Sequence, residues 1–69
     1  MKMFAVAFMS YSDNELKQSI VFAESSLAAM VKVADKAGFD IDGEGTDEEF
    51  IEAMFDCDCN ISAIEVVIT

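Results

Sequence analysis

"KMFAVAFMSYSDNELKQSIVFA", residues 2–23, decides the fold. Residues 2–11 are apolar and aromatic with Phe4, Val6 and Phe8 on alternate positions, the composition of a strand. Residues 12–15, Ser-Asp-Asn-Glu, have a turn composition. Residues 16–23 alternate well enough to form a second strand. The pair reads as a β-hairpin, and residues 24–69 must cover it.

Ser25 and Ser26 sit where a helix cap belongs. Leu27, Met30, Val31 and Ala34 then recur at helical spacing, which predicts a helix over residues 26–37 with Gly38 as its stop signal. Phe39 is expected to fold back onto the core. Thr46 and Glu49 make a T-x-x-E capping box. Asp47, Glu48 and Glu49 fill the first turn, where the helix dipole favours negative charge. Phe50, Ile51, Met54 and Phe55 form one apolar stripe, so a second helix is predicted over residues 47–56. Residues 60–69 read as a third strand.

The order β-β-α-α-β gives an α+β fold, a three-stranded mainly antiparallel sheet with both helices on one face, in a single compact domain spanning residues 1–69. Phe4, Val6 and Phe8 are expected to point at the helices, together with Ile20, Phe22, Ile64, Val66 and Ile68. That leaves Met3, Ala5, Ala7, Met9, Tyr11, Val21, Ile61, Ala63 and Val67 on the other face. A solvated face alternates to polar residues, and this one does not. Contiguous exposed apolar surface marks an interface. The expected apolar interface residues are therefore Met3, Met9, Tyr11, Val21, Ile61 and Val67, used either for a homodimer or for a partner.

The chain has 69 residues, no His and no Pro, and its four basic residues are all lysines. Without His there is no Ser-His or Cys-His pair and no imidazole for zinc. Without Arg there is no bidentate phosphate clamp. Four lysines make a nucleic-acid-binding surface an unpromising reading. These absences point away from an enzyme, and no catalytic residue or cofactor is expected. No apolar run approaches the ~18 residues of a membrane span, and the apolar start lacks a signal-peptide cleavage site, so a cytoplasmic location is expected.

The formal net charge of −10 is one-sided. Residues 1–36 hold all four lysines and four acids, whereas residues 37–69 hold no basic residue at all. Asp40, Asp42, Glu44, Asp47, Glu48, Glu49, Glu52, Asp56 and Asp58 crowd into residues 40–58. Like charges destabilise a compact state, so such a segment either serves solubility or meets a basic partner. These nine residues are the expected partner-binding set.

Part of that segment, "DIDGEGTDEEF", begins like a calcium-binding EF-hand loop. Asp40, Asp42 and Glu44 match positions 1, 3 and 5, and Gly45 matches position 6. Position 12, which needs a bidentate Glu, is Ile51. A weak calcium site on Asp40, Asp42 and Glu44 is one reading; glycines that turn the chain between two helices are the other. In "FDCDCN", Cys57 and Cys59 are two apart, so an extended chain would aim both thiols the same way. Two sulfurs are half a zinc set, and neighbouring carboxylates raise a thiol pKa, which reads as two reduced, unreactive cysteines.

"VAFMSYSDNE", residues 6–15, resembles the start of the small phage antitoxins of the Dmd type, in its Phe-Met, the aromatic two places on and the Asn-Glu. Those proteins block bacterial RNase toxins. By type, a short, acidic, Arg-free protein is similar to the inhibitors that phages make against host nucleases, restriction enzymes, CRISPR complexes and repair enzymes. The resemblance implies a non-enzymatic inhibitor that occupies a basic nucleic-acid-binding surface on a host protein. A dimeric assembly module using the apolar sheet face and a weak calcium-binding module are the alternatives.

Overall fold

The computed structural model describes residues 1–41 and 43–67. The elements are β1 (Lys2–Ser10), β2 (Glu15–Ala23), α1 (Ser26–Lys36), α2 (Asp47–Asp56) and β3 (Cys59–Glu65). The fold is α+β, with one three-stranded sheet in the order β2-β1-β3. Both pairings are antiparallel. β1 takes the centre because it is apolar on both faces, with Phe4, Val6 and Phe8 on one and Met3, Ala5, Ala7 and Met9 on the other.

Each connection has a local cause. Ser25 caps α1, its Oγ accepting the Ala28 N–H at 3.2 Å. Gly38 ends α1 in the left-handed region at φ +95°, and the N–H groups of Gly38 and Phe39 donate to the carbonyls of Asp35 and Ala34. This is the Schellman arrangement, which satisfies the last carbonyls of the helix. It also turns Phe39 inward, where its ring meets Phe8 edge-on at 5.9 Å between centroids. The capping box forms at α2: the Glu49 N–H donates to Thr46 Oγ1 at 3.2 Å, and the Thr46 N–H donates to Glu49 Oε1 at 3.1 Å.

The core lies between the helices and one sheet face. Phe4, Val6, Phe8 and Ile61 from the sheet meet Ala29, Met30 and Ala34 of α1 and Phe50 and Met54 of α2. Burying a side chain of this size contributes about 1.5–3 kcal/mol, so these few residues supply most of the driving force. The molecule is 17 Å across its thinnest direction, room for one sheet and one layer of helices. The second sheet face is therefore bare.

The faces of β2 and β3 differ from the expectation. Phe4 pairs with Val21 and Ala5 with Ile20; Phe8 pairs with Ile61 and Ala5 with Ile64. Directly paired residues share a face. Val21, Ile61 and Ala63 therefore lie on the helix side, where they join or flank the core. Ile20, Phe22 and Ile64, expected inside, lie on the bare face and are 58%, 56% and 71% exposed. A one-residue difference in register exchanges the two faces of a strand, and the four-residue turn at 11–14 sets this one. β3 ends at Glu65; Val66 comes after it half-buried, with its N–H donating to Met3 O at 2.8 Å. Ile68 lies outside the described residues.

Candidate interaction surfaces

Three surfaces stand out, and the acidic one comes from α2. Phe50 and Met54 are buried, so the opposite side of the helix presents Glu48, Glu52 and Asp56, one turn apart, to solvent. Phe55 stands beside them and is 62% exposed. Among the described residues the salt bridges are Lys2–Glu65 at 3.8 Å and Lys17–Glu15 at 3.6 Å. Neither draws on a carboxylate between residues 40 and 58.

The described acids of that segment do not form one set. Asp47 accepts a hydrogen bond from the Ser26 hydroxyl, tying the start of α2 to the start of α1. Glu49 is engaged in the capping box. Asp58 adopts φ +59° in the turn into β3, and its carbonyl accepts the Tyr11 N–H at 2.9 Å. Asp40 and Glu44 are exposed in the connection between the helices. Asp42 lies outside the described residues, and with it the middle position of the calcium reading. Among the described residues no three metal-ligating side chains converge.

The two cysteines are separated by the chain turn. Cys57 caps α2 and is exposed, whereas Cys59 opens β3 and is buried. They do not share a strand face, because Asp58 between them is left-handed. The Cys59 thiol donates to the Cys57 carbonyl at 3.4 Å. Burial pushes its pKa up, a hydrogen bond with Ser10 opposes this, and Cys57, Asp13 and Asp58 add to the rise. A thiol held protonated is a poor nucleophile.

The second surface is the bare sheet face. Met3 and Met9 lie on it, half-buried, as expected from the sequence. Val21 and Ile61 do not, because their register turns them to the helix side. Tyr11, 50% exposed, sits past the end of β1, and Val67, 70% exposed, past the end of β3. In their place the face carries Leu16, Ile20, Phe22 and Ile64. A shallow trough of about 490 Å³ runs over Ala5 and Ala7, with Ile20 on one wall and Ile64 on the other.

The third surface is a groove of about 850 Å³ between β2 and α1. Lys17, Lys32 and Lys36 line it over a floor that includes Phe8, Val21 and Val33. Sequence reasoning missed it, because Lys17 is far in the chain from Lys32 and Lys36. Lys32 and Lys36 at i and i+4 were the available signal.

Compared with protein-family models, with curated proteins and with solved structures, the chain shows no match.

Proposed function

We propose that the protein is a non-enzymatic binding protein whose acidic α2 face docks on the basic, nucleic-acid-binding surface of a partner protein. One observation carries the reading: the outer face of α2 is arranged against its own stability. Glu48, Glu52 and Asp56 succeed one another at i, i+4 with no cation among them, and each such pair is unfavourable by about 0.2–0.5 kcal/mol. Asp56 sits in the last turn, where the helix dipole disfavours an anion by about 0.3–1 kcal/mol, and no basic residue of that turn offsets it. A partner rich in Lys and Arg removes these penalties on binding. Phe55 supplies the apolar anchor that carboxylates alone lack.

The partner class is a matter of charge. Enzymes that handle nucleic acid present Lys- and Arg-lined grooves shaped for a polyanion. A folded protein with dense carboxylates competes for such a groove. The hairpin's resemblance to phage antitoxins points to the same class, with nucleases, restriction, CRISPR and repair proteins as targets and the host cytoplasm as the place of action. The absence of His and Arg favours a binder over an enzyme.

The test compares tagged wild-type protein with an E48Q/E52Q/D56N variant in pull-downs from bacterial lysate, eluted in rising salt. Glu49 is spared because it caps the helix. The expected result is a nucleic-acid-processing protein retained by the wild type, released by moderate salt and lost in the variant. Equal capture by both proteins overturns the reading.

The bare sheet face supports a second reading, a homodimer packed sheet to sheet. Leu16, Ile20, Phe22 and Ile64 are each more than half exposed on this one face, and clustered exposed apolar side chains mark an interface.

A further inference from the structure

We infer that the groove between β2 and α1 binds an extended acidic peptide strand of a partner protein, which adds to the free edge of β2 and sets its carboxylates on Lys17, Lys32 and Lys36. Two independent features meet here. The first is the edge itself. β2 is a nine-residue strand at the end of the sheet, paired to β1 without a bulge from Glu15 to Ala23 and free of proline. Among the described residues, its outer N–H and C=O groups have no neighbouring strand. Natural sheets usually shorten, bend or cover such an edge.

The second feature is charge. In a chain of net charge −10, three of the four lysines line this one groove, and among the described residues no carboxylate lines it with them. A single lysine on an edge strand is common protection against aggregation. Lysines supplied by a helix across the groove are not needed for that purpose. The five acids of α2 sit elsewhere, since α2 packs on β3 and α1; near the groove, Glu15 at the start of β2 pairs with Lys17.

The spacing suits a strand. Same-side residues of an extended peptide repeat every ~6.7 Å. Lys32 and Lys36 are separated along α1 by ~6 Å. A peptide with acids at alternate positions therefore sets them on the helix side, where both lysines lie, and its intervening side chains fall on the bare face beside Ile20 and Phe22. Lys32 is already placed, its Nζ donating to the Phe22 carbonyl at 2.6 Å. An ammonium has two further donors for an incoming carboxylate. The Lys17–Glu15 pair is exposed on both sides, so it exchanges readily. This is strand addition, in which the backbone gives affinity and side-chain contacts give specificity.

The probe is a soluble nine-residue peptide alternating Glu with Val and Thr, titrated into isotope-labelled protein and followed by NMR and amide exchange. The expected result is shifts along β2 and α1, protection of alternate β2 amides, and roughly tenfold weaker binding in a K17E/K36E variant. Both lysines are exposed, and an unchanged circular dichroism spectrum verifies that the variant is folded. The same peptide with its alternate amides N-methylated, which cannot pair as a strand, is expected not to bind. No β2 shift at millimolar peptide, or equal binding to the variant, overturns the inference. Decanoate producing the same shifts as the peptide, with no amide protection from either, assigns the groove to small amphipathic anions instead. Concentration-dependent protection of β2 without peptide assigns the edge to a second copy of the chain. This site is separate from the α2 face, so either can fail alone.

Discussion

At the scale of single residues, Gly43 is held by space rather than by backbone angle. It lacks the left-handed conformation of Gly38 and Gly45, but a Cβ placed on it would lie 2.7 Å from Val31 Cγ2. The loop crosses α1 so closely that only hydrogen fits. Gly43→Ala should destabilise the fold by about 1–3 kcal/mol, the usual range for overpacking. Val31→Ala in the same chain should recover much of that loss, because it removes the obstructing methyl. Urea unfolding of both single variants and the double reads the coupling. Strict additivity would refute the close approach. Cys59 shows the same dependence on surroundings. A raised thiol pKa means that folding is favoured while the thiol stays protonated, and that this contribution is lost as pH climbs through the alkaline thiol range.

At the scale of elements, α2 combines a favourable start with an unfavourable finish. Its capping box and first-turn acids stabilise it, while Glu52 and Asp56 work against it. The E52Q/D56N variant should therefore be more stable than the parent by about 1 kcal/mol at low ionic strength, with the gain shrinking in salt. Thermal melts at two salt concentrations measure it. A loss of stability would mean that these acids serve the fold and not a partner. The helices were readable from the chain because their signals are local. Ser25, Thr46, Glu49 and Gly38 each act within a few residues of their own position. Strand faces depend on register, which is not local. A four-residue turn makes hairpin partners sum to an odd number, so even residues of β1 share a face with odd residues of β2. Apolar alternation in 16–23 favours Ile20 and Phe22 as core residues, and the turn overrides it in favour of Val21. The acidic segment was visible as composition. Its division into Glu48, Glu52 and Asp56 outside and Asp47, Glu49 and Asp58 in local roles needed the hydrogen bonds.

At the scale of the whole molecule, one layer of helices cannot cover a sheet that is apolar on both sides. If the bare face closes on a second copy, sedimentation should give twice the 7.5 kDa monomer mass, insensitive to salt. Phe22→Glu together with Ile64→Glu should return the monomer with its helical content intact, since both side chains are exposed. A monomer at every concentration would exclude that arrangement. The charges lie along a different axis. Three lysines at β2 and α1 are balanced by Glu15, Glu24 and Asp35 nearby, whereas α2, above β3 at the far end of the strand order, carries five carboxylates and no cation. A body charged in this way has a large permanent dipole moment. Near a cationic surface it is turned as well as attracted, and it approaches with α2 leading. More of its encounters then begin in the productive orientation, and the association rate exceeds what net charge alone would give. Salt should remove the torque as the Debye length falls from ~10 Å at 0.1 M to ~3 Å at 1 M. The on-rate would then drop more steeply with ionic strength than for an isotropic protein of equal charge.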